Sequence, residues 1–204
     1  VEMIKSLPID QGDTKGDLYE YLLSKLTTAG INGQFRTPRH LIRAMIEMME
    51  PNPARHERIC DPACGTGGFL FNSYEYIAER YTSADNVHSQ VVANERGELE
   101  EQKVFAGDLL ADYRHHVDTD MFHGYDFDAT MLRIAAMNLI MHGVEQPDIH
   151  YQDTLSQGFR DHFPNASNEG FHLILANPPF TGTLDEEDID PKLTARVKTK
   201  KTEL

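Results

Sequence analysis

No stretch of this 204-residue chain offers the roughly 20 uninterrupted apolar residues that a membrane span requires, and no basic-then-apolar leader opens it. Cysteine is scarce. Only Cys60 and Cys64 are present, too few for a disulfide framework, so a reducing, cytoplasmic setting is expected. Basic charge is short as well: 19 Lys and Arg face 33 Asp and Glu, a net charge of −14 with histidines neutral. Such a chain is not expected to hold nucleic acid unaided through phosphate neutralisation, so if it works on DNA another component grips the duplex. Metal ligands are missing at zinc spacing, because Cys60 and Cys64 have no second pair and His115-His116 reads as surface. No internal repeat is visible. What is present is apolar sequence, 40% of residues against 25% charged, enough for a packed core.

Helical patterns open the chain. Asp17 reads as an N-cap with Glu20 three residues on, Leu18, Leu22, Leu23 and Leu26 follow, and Gly30 closes the segment. Thr37-Pro38 starts the next helix, with Thr37 capping and Pro38 at the first helical position. Its stripe is Leu41, Ile42, Met45, Ile46 and Met49, ended by Pro51 and Pro53. Thereafter short strands (58–60, 124–126, 149–151 and 172–176) alternate with helices at 67–81 and 129–142. The second of these buries Leu132, Ala135, Ala136, Leu139 and Ile140 and stops at Gly143. Strands separated by helices imply an α/β fold with a parallel sheet. The expected organisation is a helical N-terminal segment over 1–52 and a catalytic domain over 53–184. Within that domain, 84–121 reads as an insertion of loop and short helix, and a charged, solvated tail covers 185–204.

Asp61-Pro62-Ala63-Cys64-Gly65-Thr66-Gly67-Gly68-Phe69-Leu70 lies between a strand and a helix, where an open α/β sheet binds its ligand. Glycines there permit positive φ and let a ligand approach bare backbone. A phosphate-binding P-loop would need lysine after Gly68, where Phe69 stands, and a dinucleotide fingerprint would need glycine where Leu70 stands. A methyl-donor pocket remains, one that holds an amino acid moiety and a ribose. Asp126, at the end of the second strand, then suits the ribose hydroxyls; without the glycine turn it would read as a helix-capping acid. Phe127 could pack on an adenine ring. Asp153 suits either an adenine amino group or a simple turn.

Asn177-Pro178-Pro179-Phe180 follows the apolar strand 172–176. Two prolines cannot continue a ladder and hold the chain extended, which fixes the Asn177 amide oxygen and the Pro178 carbonyl as two acceptors. An exocyclic NH₂ has two hydrogens, so this pair can hold it and aim its lone pair at an electrophilic methyl. Phe180 offers a face for a planar base swung out of its stack. By itself the tetrapeptide also admits a second, less favoured reading, a proline-rich strand exit with a buried Phe.

Together, the glycine turn and Asn177-Pro178-Pro179-Phe180 resemble the amino-group DNA methyltransferases, and most closely the modification subunit of type I restriction-modification systems. Gln34-Phe35-Arg36-Thr37-Pro38-Arg39 resembles the family segment that lines the S-adenosylmethionine pocket, and Met137-Asn138-Leu139 with His142-Gly143 resembles its helix after the second strand. The resemblance implies a Rossmann-like S-adenosylmethionine-dependent methyltransferase sheet. It further implies direct methyl transfer to adenine N6, without metal or covalent intermediate, in DNA chosen by a separate specificity subunit. A second modification subunit would pair around that reader, with a restriction subunit able to join. Gln34 to Arg39, Asp61, Gly65, Thr66, Gly67, Gly68, Asp126, Phe127 and Asp153 would hold the cofactor. Asn177, Pro178, Pro179 and Phe180 would receive the target adenine.

The chain departs from that family in having four candidate strands, a short N-terminal segment and a long gap between Asp61 and Asp126. It is therefore expected to be a fragment, weak or inactive in isolation. Methylation of RNA, protein glutamine or cytosine N4, or an inactive scaffold, stay open as alternatives.

Overall fold

The computed structural model describes residues 37–93, 99–178 and 189–196. The expected helix at 17–30, Gln34 to Arg36, Pro179, Phe180 and the ends of the charged tail lie outside the described residues. Helix α1 (Arg39–Met49) leads to strand β1 (Ile59–Asp61) and helix α2 (Gly68–Arg80). An antiparallel hairpin, β2 (Val87–Ala93) and β3 (Leu99–Phe105), precedes a short helix α3 (Arg114–Thr119). Then come β4 (Phe122–Asp126), α4 (Ala129–His142), β5 (Asp148–Tyr151), α5 (Gly158–His162), α6 (Pro164–Glu169), β6 (Leu173–Ile174) and α7 (Pro191–Thr194).

Four strands form a parallel sheet in the order β5-β4-β1-β6. Central β1 is buried at all three residues, as expected of a parallel strand covered on both faces. Alternation along β4 sorts the two layers. Gly124 faces Cys64 and Leu70, beneath α2, and a Cβ there would come within 2.6 Å of Ile149 Cδ1. Tyr125 points the other way, against Phe159, Phe163 and Phe171. Helix α2 is the centre of the core, burying Phe69, Leu70, Phe71, Tyr74, Tyr76 and Ile77. Phe69 and Leu70, which disqualified the two phosphate-binding readings, are core residues at 4% and 0% exposure.

Several expectations are corrected. Within 84–121, where loop and short helix were expected, the short helix α3 is present but residues 87–93 and 99–105 are paired antiparallel strands. Helix α1 starts at Arg39, with Pro38 as an N-cap that makes no side-chain cap bond, and Thr37 is not its cap. Of the α1 stripe, Ile42 and Ile46 are buried and Met45 half-buried, whereas Leu41 and Met49 are exposed. On α4, Met131, Ala135, Asn138, Leu139 and His142 are buried, while Ile140 is 53% exposed. His116 is half-buried, with Nε2 at 3.0 Å from the Glu57 carbonyl. Within the expected solvated tail, Ile189 and Asp190 are buried: Ile189 bridges to Ser156, and Asp190 pairs with Arg160 and caps α7.

Candidate active site

Strand β1 is flanked by β4 on one side and β6 on the other, and the chain reaches β4 and β5 before crossing back to β6. The order of connections therefore reverses between β1 and β6. The crevice outside the carboxyl ends of strands at such a reversal is where open α/β sheets take ligands. The glycine turn leaves β1 here, Asp126 ends β4, and Asn177 follows β6, whose pairing runs on through Leu175 N–H to the Cys60 carbonyl at 3.0 Å. The main sequence-predicted groups thus share one edge of the sheet.

Local chemistry shapes the turn. Asp61 Oδ1 accepts from the Ala63 N–H at 3.1 Å, and Cys64 N–H donates to the Tyr125 carbonyl at 2.9 Å, tying the turn to β4. Gly67 has φ 81°, a left-handed conformation, and a Cβ there would stand 3.3 Å from the Ala135 backbone. At Gly65 an added Cβ would meet none of the described residues within 4 Å, so among them this part of the turn presents bare backbone.

Asp126 is half-buried and does not cap α4; Asp128 does, accepting from Thr130 and Met131 N–H. Asp126 instead accepts from Gly65 N–H on Oδ2 at 2.8 Å and from Asp128 N–H on Oδ1 at 2.9 Å. Each carboxylate oxygen has a further lone pair, so Asp126 can organise the turn and still accept from a ligand diol. Phe127 next to it is 65% exposed. Asp153 Oδ1 takes the Leu155 N–H at 2.8 Å, as a turn residue does, and Thr154 Oγ1 donates to the Pro62 carbonyl at 3.1 Å, joining this loop to the glycine turn.

Two contacts were beyond sequence reasoning. Asn138 is fully buried, and its Nδ2 donates to the Thr66 carbonyl at 2.8 Å. It lies one turn from Ala135, so one face of α4 buttresses the glycine turn twice. Asn177 Nδ2 donates to Thr37 Oγ1 at 2.9 Å, across 140 positions of sequence. Thr37 is therefore beside the asparagine, and Pro38 and Arg39 follow it into α1.

Burial, with some help from Asp126, pushes the Asp61 carboxyl from 3.8 up to about 7, against the pull of the Ala63 N–H. Between those values the folded chain holds a proton that the unfolded chain has released, so this group's contribution to stability is full below about 4 and is lost as pH rises through 7. Asp61→Asn, which keeps the oxygen acceptor, is expected to reduce the loss of stability between pH 5 and pH 8. Urea unfolding of both proteins at the two pH values checks this, and identical slopes would remove Asp61 as the cause. Burial also raises the thiols of Cys60 and Cys64, which leaves them as inert core groups.

A cavity of about 680 Å³ lies at the opposite, amino edge of the sheet, lined among others by Arg58, His123, Asp148 and His150. Burial pushes Asp148 up, but hydrogen bonds from His123 and His150 outweigh it and hold the carboxyl below its usual range. No helix among the described residues is long and apolar enough to cross a membrane.

The fold and the placement of these groups define an α/β protein whose glycine turn, Asp126 and Asn177 gather at a topological switch point of the sheet. The family model for N-6 DNA methylases matches residues 10–203, and the chain belongs to that family. It is 28% identical over 188 residues to the methylase subunit of the type I restriction enzyme EcoEI from Escherichia coli, covering 92% of this chain and 31% of that protein. The methylase subunit of EcoKI, also from Escherichia coli, is 31% identical over 176 residues, covering 82% and 27%. Among solved structures, a modification subunit of a putative type I restriction enzyme from Vibrio vulnificus aligns with a TM-score of 0.64 and 27% identity, covering 91% and 32%. The chain thus spans about a third or less of the length of these relatives, and its fold is that of the S-adenosylmethionine-dependent methyltransferases.

Proposed function

We propose that this chain forms the cofactor-binding and base-receiving part of a modification subunit that methylates adenine N6 in DNA. The observation that carries this reading is the convergence of the glycine turn, Asp126 and Asn177 on one edge of the sheet. The names of the relatives, methylase subunits of type I restriction enzymes, support it.

The residues fit S-adenosylmethionine. The open face of Gly65 and the backbone of Thr66, Gly67 and Gly68 suit its amino acid moiety, Asp126 its ribose and Phe127 its adenine. Asp61 shapes the turn, and Asp153 is the weaker partner for the adenine amino group. When bound, S-adenosylmethionine supplies an electrophilic methyl group. The chain's own work is orientation: Asn177 Oδ1 and the Pro178 carbonyl hold the two amino hydrogens of the target base, so that the nitrogen lone pair faces the methyl carbon. Both acceptors gain strength as that nitrogen becomes pyramidal and positive. Phe180 is assigned the base's aromatic face. A net charge of −14 suits a subunit whose DNA sequence is read by a separate specificity subunit, with a second modification subunit and a restriction subunit as further partners.

The test uses the full-length polypeptide assembled with its specificity subunit. Radiolabelled methyl transfer to unmethylated DNA, followed by digestion to nucleosides, is expected to place the label in N6-methyladenine. Label in N4-methylcytosine, RNA or protein would overturn the assignment, and so would failure to bind S-adenosylmethionine at millimolar concentration.

A further inference from the structure

The hydrogen bond from Asn177 Nδ2 to Thr37 Oγ1 joins two residues that each stand directly before a proline, in Thr37-Pro38 and Asn177-Pro178. A following proline disfavours the helical region and biases the residue before it toward extended backbone. The two partners therefore meet from restricted backbones, and both are half-buried. The hydroxyl of Thr37 is not spent on a helix cap, since α1 begins beyond Pro38 without a side-chain cap bond.

We propose that Thr37 is the positioning residue for Asn177. Its hydroxyl pins the carboxamide by the nitrogen and leaves Oδ1 as the atom that accepts a hydrogen of the target amino group. The inference rests on the functional reading given above.

The argument is one of hydrogen-bond polarity. The terminal torsion of asparagine is broad and nearly two-fold, so an unheld carboxamide can turn either its oxygen or its NH₂ toward an incoming amine. With NH₂ outward, a donor faces a donor and the target base is repelled. A hydroxyl can serve either end of an amide, so Thr37 alone fixes the plane of the group. The amine, which has only hydrogens to offer, then selects the arrangement seen here, with nitrogen on Thr37 and oxygen free to accept. Donation from the base to Oδ1 polarises the amide and strengthens its N–H bond to Thr37, so the two hydrogen bonds reinforce each other.

The experiment compares Thr37→Val and Thr37→Ser in the assembled, full-length enzyme. Valine matches threonine in shape but has no hydroxyl; serine restores it. Thr37→Val is expected to slow single-turnover methyl transfer by about 10- to 100-fold, as a misplaced catalytic group does. Because Thr37 lies in the segment assigned to the cofactor pocket, the rate is measured at saturating S-adenosylmethionine, with calorimetric affinity recorded alongside, so that weaker cofactor binding does not register as slower transfer. Thr37→Ser is expected to recover most of the rate. In an Asn177→Ala background, Thr37→Val should have no further effect on rate, because nothing remains to position. A rate that returns to wild type once S-adenosylmethionine is saturating would make Thr37 a cofactor contact only and overturn the proposal. A wild-type rate in Thr37→Val, or an undiminished effect in the Asn177→Ala background, would overturn it while leaving the functional reading standing. A wild-type complex that binds cofactor but does not methylate adenine would overturn both.

Discussion

Asn177→Ala in the assembled enzyme is expected to lower the rate of methyl transfer by roughly 10²- to 10³-fold, the size of effect seen when one preorganised transition-state partner is removed. The alanine removes an acceptor that counts most when the attacking nitrogen carries developing positive charge, so the loss belongs in the rate constant rather than in cofactor binding. Asn177 lies on the β6 side of the switch point, while the glycine turn that would contact the cofactor leaves β1. Single-turnover kinetics with calorimetric cofactor affinity separates the two quantities. Equal losses in both would mean that Asn177 supports folding or the cofactor pocket instead. Asn177→Asp retains acceptor oxygens and can take a hydrogen from Thr37, so its rate should fall between those of wild type and alanine.

The second large effect is expected at Asp126, in the opposite quantity. Asp126→Ala removes the acceptor for Gly65 N–H and for Asp128 N–H at once, together with the carboxylate offered to the ribose. Charge-assisted hydrogen bonds contribute about 1.5–3 kcal/mol each, so cofactor affinity should weaken by about 10- to 100-fold. The thermal midpoint without ligand should drop too, because the glycine turn loses its tie to β4. Asp126→Asn is not a gentle change: it places an amide NH₂ against one of two backbone donors, and it should resemble alanine in affinity. Calorimetry on both variants decides the matter, and unchanged affinity would remove Asp126 from the site. A lowered midpoint with intact affinity would leave it a purely structural role.

How much of this was legible before folding can be traced to particular residues. The Asp61–Leu70 turn was readable because its requirements are local: a strand end, glycines where φ is positive, and Phe69 and Leu70 as the first apolar residues of the next helix. The end of α4 was readable for the same reason, since Gly143 adopts the left-handed conformation that closes a helix. The strand pair at 87–93 and 99–105 was not. Among the described residues Val87–Ala93 and Leu99–Phe105 pair with each other alone, and no strict alternation of apolar and polar residues announces them. The N-terminus of α1 was misread because the signal that marks a cap, threonine before proline, also suits a threonine whose hydroxyl is engaged elsewhere.

By its sequence alone the chain determined the alternation of parallel strands with helices, a glycine turn without phosphate-binding residues, a strand-terminal acid and an asparagine set before two prolines. These are set by backbone sterics and short-range periodicity, which act within a few residues and can be read along the chain. Only the tertiary structure decided the strand order β5-β4-β1-β6, the seating of Ala135 and Asn138 beneath the glycine turn, and the meeting of Thr37 with Asn177. Each of those depends on groups far apart in sequence, whose encounter is fixed by burying one shared core and by satisfying polar groups that burial would otherwise leave unpaired.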